Sequence, residues 1–421
     1  MFSNSRRYLR YAGVAITAAT LAACSSGGGG DDGEGPIKVG HLIGVTGDYA
    51  PYYEGSQVGV EIALDEINAA GGVLGRPFEL VTVDNLSTVE GAVQGFSRLT
   101  DVEGVVAVGG VESDGAMAIF SASEEQQIPV MCPVCGTSEL DTRGGEYMFR
   151  LTGSDTDGGI VLAQFARDRG YKTVNLLVQN TEGAAGPAEI FKEVFTGPIG
   201  GTIGTEVTFN PGAASYQSEV DQVFSTPADA VFLAAGSEAG SVIITEWERR
   251  GYGGSMLTTP DLVVPEIAGL TPALADGVMT AAIAQYDTTS PAFEAYAAAY
   301  AEKTGGEQPS SGVGDALQHD QYIALALAIE KAGSTDGPAI AAAIPEVLNP
   351  EGTVVYSYQE GLDAIRAGED IDYHGASSAL DLNEYGNLAA PVFGEQNIID
   401  GQWQEVASID LDPALREFLA E

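Results

Sequence analysis

From residue 37 onward, short apolar runs of strand length alternate with stretches whose apolar residues recur at helical spacing. Residues 37–43 predict a first strand. Residues 56–70 place Val58, Ile62, Leu64 and Ile67 near helical spacing, and Gly71-Gly72 supplies residues able to take the left-handed turn that closes a helix. A strand over 78–84, a helix over 89–100, a short buried strand over 105–109, a helix over 115–125 and a strand at 130–131 complete one run. The pattern restarts with helix 157–169, strand 174–178, helix 188–195 and strand 202–209. Helix 216–225, strand 230–233, helix 241–250 and strand 256–258 follow. Apolar strands alternating with amphipathic helices predict parallel sheets covered on both faces, and two successive runs predict two such lobes. In open parallel sheets a ligand sits beyond the carboxyl ends of the strands, near helix N-termini. The loops after Gly109, Met131 and Leu233 and the turn after Thr258 are therefore where function is expected.

The first 36 residues have a different pattern. Arg6, Arg7 and Arg10 precede an apolar, small-residue run over 12–23, too short to span a bilayer permanently. Such a start describes an export signal over 1–23, followed by a polar, glycine-rich tether over 24–36. The string Leu21-Ala22-Ala23-Cys24 resembles the bacterial lipobox, which implies a lipid-modified Cys24 as the first mature residue. Ser5-Arg6-Arg7 matches a twin-arginine signal only in part.

Composition narrows the function. The chain has 421 residues, enough for two or three domains. It carries 18 Lys and Arg against 60 Asp and Glu, a net of -42, which argues against nucleic-acid binding and against docking on anionic lipid through a basic patch. The excess of acids suits a saline habitat, where a hydrated, charged surface keeps a protein soluble. His41, His319 and His374 lie in separate segments, and no GxSxG or Walker loop is present, so neither a metal site, a cofactor nor an enzyme is expected. Cys132 and Cys135 form a CxxC string. It reads as a local disulfide, with two free thiols or a thiol–disulfide oxidoreductase as alternatives.

Several strings resemble the periplasmic leucine/isoleucine/valine-type binding proteins that feed ABC transporters. They are Ile37-Lys38-Val39-Gly40 followed by Thr46-Gly47, and the run from Ile67 through Gly71-Gly72 to Gly75. Gly109-Gly110-Val111-Glu112-Ser113, the loop over 133–140, Ile329-Glu330-Lys331-Ala332-Gly333 and the string from Asp372 to Ser377 add to the likeness. The resemblance implies an α/β fold of two Rossmann-like lobes with parallel sheets, joined by a three-strand hinge and closing on a ligand. It places 37–154 with 281–390 in one lobe and 155–280 with 391–421 in the other. It further implies an exported, lipid-anchored monomer that hands an amino acid or related small polar ligand to permease subunits. A ligand-sensing input protein of the same fold is the alternative.

The same resemblance implies site residues. Ser113 falls where the family holds a ligand carboxylate, although it also reads as a helix N-cap. Thr137 falls near the second carboxylate clamp, and Val134 or Cys135 near a backbone-carbonyl contact; Thr137 is otherwise an ordinary loop threonine. Asp261 takes the place of the acid that pairs with a ligand ammonium, or is a solvated loop aspartate. Tyr52 matches a pocket tyrosine, with Tyr49 and Tyr53 as rivals, and His319 takes an aromatic position on the pocket wall. Gly183 and Gly236 stand where the family has aromatic walls, which implies a larger or differently shaped pocket. Glu112 and Asp114 flank Ser113 with negative charge. If they do not face solvent, the ligand is more cationic than a simple zwitterion.

Overall fold

The computed structural model describes residues 35–420 apart from 276, 311, 313, 349 and 350. The expected export signal, Cys24 and nearly all of the expected tether lie outside the described residues. Five strands form the first sheet: β1 (Ile37–Ile43), β2 (Phe78–Asp84), β3 (Val108–Gly109), β4 (Val130–Cys132) and β5 (Met148–Arg150). They run in the order β2-β1-β3-β4-β5, all parallel. Strands β3, β4 and β5 are buried throughout, as expected where helices cover both faces of a parallel sheet.

The chain then repeats the scheme with β6 (Thr173–Gln179), β7 (Thr202–Phe209), β8 (Ala230–Ala234), β9 (Ser255–Thr258) and β10 (Met279–Ala284). These lie in the order β7-β6-β8-β9-β10, the same permutation as in the first sheet. Edge strand β7 alternates exposed and half-buried positions, whereas β8 is wholly buried.

After β10 the chain returns to the first lobe. Helix Asp315–Ala332 is buried on every face from Asp315 to Ile329, so its residues show no helical stripe and it forms the middle of that lobe's core. A small parallel pair, β11 (Thr353–Val355) with β12 (Ile371–Tyr373), adds Val355, Ile371 and Tyr373 to the same core. The chain then crosses back, and β13 (Phe393–Ile399) and β14 (Gln402–Ile409) extend the second sheet antiparallel beyond β10. Two lobes joined by three crossing segments are the result.

Three departures from the sequence reading have local causes. The first helix spans Ala50–Ala69 and not 56–70, because Pro51 is accepted in a first turn, where its missing N–H is no loss. Helix Glu182–Thr196 runs through Pro187 and so begins ahead of the expected 188. Strand β10 pairs with β13 up to Ala284, so the second crossing follows Ala284 and not residue 280. No helix among the described residues is long and apolar enough to cross a membrane.

Candidate functional site

The carboxyl ends of the two sheets face each other across a cleft with a cavity of about 80 Å³. On the first lobe, β3 is followed by Gly110, whose φ of +90° is left-handed and whose missing side chain leaves room for His41. That turn delivers Ser113 to the start of helix Ser113–Gln126, with Glu112 as the capping residue, so Ser113 is the first helical residue and not the cap. Ser113 is buried, lines the cavity, and its hydroxyl makes no hydrogen bond among the described residues. The first-turn N–H groups and the helix dipole at that position favour an anion.

Val134 and Gly136 line the cavity from the loop after β4, and Val134 is held in register with Glu112. Cys132 and Cys135 flank it as a buried disulfide with Cα atoms 5.5 Å apart. Asp261 enters from the second lobe, on the turn after β9. Its Oδ1 accepts a hydrogen bond from the Tyr52 hydroxyl of the first lobe at 3.0 Å. Burial pushes the Asp261 carboxyl up to about 7, against the Tyr52 and Thr259 hydrogen bonds that pull it down. Of the tyrosines in contention, Tyr52 and Tyr49 line the cavity. Tyr49 donates to Asp114 Oδ2 at 2.8 Å.

Ser113, Val134, Tyr52 and Asp261 are thus brought together, while Thr137 and His319 are not among the lining residues. Thr137 is fully buried, and its hydroxyl donates to Glu182 Oε1 of the second lobe at 2.7 Å. Its side chain links the lobes beside the cavity. His319 points into the first-lobe core, where its ring meets Asp320 Oδ1 at 2.8 Å and Glu66 Oε2 at 3.5 Å. Burial opposes its charge, but those two carboxylates outweigh burial and lift its pKa to about 9. A histidine with two acids to hand is satisfied in the core and does not reach the cleft wall.

Gly183 lines the cavity and Gly236 does not, and a side chain at either position would meet the first lobe. A Cβ on Gly236 would lie 2.4 Å from Asp48 Cγ, and one on Gly183 would lie 3.2 Å from the Tyr49 hydroxyl. The space that an aromatic wall would fill is taken by residues of the opposite lobe. Asp48 accepts from Gln179 Nε2 at 2.8 Å through its carboxylate and from the Ser237 hydroxyl at 2.9 Å through its carbonyl. Asp114 accepts from the Glu182 N–H at 2.9 Å. With the Tyr52–Asp261 and Thr137–Glu182 bonds, these contacts hold the lobes together around the cavity.

Glu112 and Asp114 do not face solvent. Glu112 is buried and accepts from Asn85, and burial pushes its carboxyl up to about 7. A further acid, Asp155, lines the cavity at the first turn of helix Asp155–Asp168. Its N–H donates to the Gly136 carbonyl at 2.6 Å, while its Oδ2 is buried without a hydrogen-bond partner. In the sequence it reads only as an acid near a helix start, a common and uninformative position. Hydrophobic lining comes from Leu162, Ile283, Leu317 and Phe393. No group of three or more His, Cys, Asp or Glu among the described residues is placed to hold a metal ion.

Comparison with known proteins places this geometry. The chain is 25% identical over 330 residues to the Leu/Ile/Val-binding protein BraC3 of Rhizobium johnstonii, covering 76% of this chain and 87% of that protein. It is 25% identical over 369 residues to the chemotactic signal transduction system substrate-binding protein BasB of Halobacterium salinarum, covering 82% of this chain and 83% of BasB. The crystal structure of a leucine-binding protein LivK from Thermotoga maritima superposes with a TM-score of 0.76. That match has 24% identity and covers 90% of this chain and 99% of LivK. Residues 36–351 match the family described as periplasmic binding protein, so with its two lobes and enclosed cleft this chain belongs to the periplasmic binding protein family.

Proposed function

We propose that the protein is an extracytoplasmic solute-binding lipoprotein that captures an amino acid between its lobes and delivers it to an ABC permease. The observation that carries this reading is the opposition of Ser113, at a helix start on one lobe, to Asp261 on the other. An anion-favouring helix start facing a half-buried carboxylate is complementary to a carboxylate and an ammonium on one small molecule. The relatives named for leucine, isoleucine and valine support an amino acid as ligand. Lobe 1 comprises 37–154 with 285–390, and lobe 2 comprises 155–284 with 391–421. We assign the protein no catalytic step and read it as a monomer held to the membrane only through a lipid on Cys24.

Calorimetric titration with a panel of free amino acids tests the reading, with small-angle scattering on the same samples. Saturating ligand is expected to lower the radius of gyration as the hinge closes. Failure of every amino acid to bind overturns it. Mass spectrometry of the membrane fraction checks for a lipidated Cys24 at the mature N-terminus; an intact 1–23 segment there contradicts the anchor.

Similarity to BasB over most of the chain favours a second reading, in which the same liganded form signals to a receptor. Uptake of labelled ligand by cells lacking the protein separates the two. Uptake is lost in the transport reading and preserved in the sensing one.

A further inference from the structure

The proposed amino-acid reading leaves one charge unaccounted for. A zwitterionic ligand with its carboxylate at Ser113 and its ammonium at Asp261 matches one of the two acids that line the cavity. Asp155 is the other, and among the described residues no basic side chain lines the cavity with it. The nearest candidate, Arg150, is committed elsewhere. Its guanidinium donates to the carbonyls of Gly136 and Thr137 at 3.3 and 3.0 Å and to Asp141 Oδ1 at 2.7 Å. Asp141 in turn accepts from Ser154 and Thr156, so that acid is well satisfied while Asp155 Oδ2 has no partner.

An ionised carboxylate in such a place is strongly unfavourable unless a cation meets it. Burial first, and the Asp261 charge second, push the Asp155 carboxyl well above the usual range, with Arg150 only partly opposing them. The surroundings of Ser113 add no compensation: Glu112 accepts from Asn85 through Oε1 while its buried Oε2 has no hydrogen-bond partner, and Asp114 accepts from Tyr49 and the Glu182 N–H. Beside the hydroxyls of Thr152, Ser154 and Thr259, the lining has an apolar part, Leu162, Ile283, Leu317 and Phe393, that suits a methylene stem.

We infer that the cleft selects an α-amino acid with a cationic side chain, whose second positive group pairs with Asp155 while its α-ammonium pairs with Asp261. This inference rests on the amino-acid reading above and sharpens it from a ligand class to a charge type.

Calorimetry with two matched pairs of probes decides it: L-arginine against its neutral near-isostere L-citrulline, and L-lysine against L-norleucine. Each charged member is expected to bind at least tenfold more tightly than its neutral counterpart. In Asp155→Asn, which keeps side-chain size and removes the charge, both ratios should collapse towards one through loss of arginine and lysine binding. A melting curve of the variant confirms that it is folded; if it is not, the wild-type ratios alone decide. Citrulline or norleucine binding as tightly as its charged partner overturns the inference and leaves the amino-acid reading intact. Ratios that survive in folded Asp155→Asn remove Asp155 from the role and likewise overturn it. If neither charged nor neutral amino acids bind, both readings fall together.

Discussion

Two groups of acidic side chains in this molecule, one sealed in the first-lobe core and one half-buried at the cleft, are treated in opposite ways. In the first-lobe core, the fully buried Asp320 is saturated by donors. Oδ1 accepts from His319, Tyr373 and the Ala376 N–H, and Oδ2 accepts from the Ser377 N–H and hydroxyl. His319 also reaches Glu66, so the acids there carry their own cation. In the cleft, Asp261 has two hydroxyl donors, and Asp155 Oδ2 has no hydrogen-bond partner. The first arrangement ties helix Asp315–Ala332 to the segment after β12 and is complete without anything added. The second is complete only when a cation arrives. Between these two groups, it is the satisfaction of the charge, more than burial itself, that differs.

The contrast makes its largest prediction in the core. Asp320→Ala strands His319 and several buried donors, and should destabilise the fold by about 3–5 kcal/mol, the range for breaking a buried pair from one side. Denaturant unfolding measures it. A loss below about 1 kcal/mol would mean that the cluster is not the structural element described.

Asp261→Ala should show the opposite signature. Ligand affinity is expected to fall by about 2–5 kcal/mol, as when one partner of a buried charged pair is removed. Asp261→Asn should recover part of that, because its carbonyl still accepts a hydrogen bond. Stability without ligand should hold or rise, since an uncompensated acid is gone. Replacing the exposed Glu266 on the neighbouring turn is the control. Unchanged calorimetric affinity in Asp261→Ala removes the ammonium role.

The smallest effect is a difference of pH windows. Asp261 has a folded pKa of about 7 against an ordinary 3.8, so between those values the folded state holds more protons than the unfolded one. Stability therefore falls as pH rises from about 4 to 7. The raised carboxyls of Asp155, Glu112 and Asp315 act in the same direction. His319, lifted to about 9 from 6.5, stabilises fully below its unfolded value and loses that contribution as pH rises through 9. Melting temperature without ligand should thus decline in two steps. Asp261→Asn should shrink the lower step and leave the upper one. Equal effects on both steps would dissolve the distinction between the two clusters.

The strand–helix alternation was legible because β1, β2 and β7 are bounded by turn residues and carry strand-forming side chains, and all three fall on the residues expected. Helix Asp315–Ala332 shows why legibility stops: a helix buried on all sides has no polar stripe to mark its phase. At the site, the loops that approach the cavity could be read from strand ends, and Ser113, Val134 and Asp261 follow three of them, whereas Tyr52, in helix Ala50–Ala69, came only from the family resemblance. His319 could not be placed, because its acids, Glu66 and Asp320, come from two different helices that meet only in the fold. Asp155 was missed for a related reason. A first-turn acid is ordinary in sequence, and its lack of a partner exists only once Gly136 and Asp261 have been brought beside it.

The two glycines of the second lobe have a practical consequence for anyone redesigning this protein. Gly183 lines the cavity itself, where an added Cβ would stand 3.2 Å from the Tyr49 hydroxyl and 3.9 Å from Ser113 Cβ, but Asp48 of the first lobe occupies the space over Gly236, so a larger side chain at Gly236 meets the opposing lobe before it meets a ligand. Such a substitution works as a doorstop. It alters how long the jaws stay shut, and with that the residence time of whatever is inside, while leaving the choice of guest to residues deeper in the cavity. Tuning release and tuning selectivity are therefore separable tasks here, carried out on different walls.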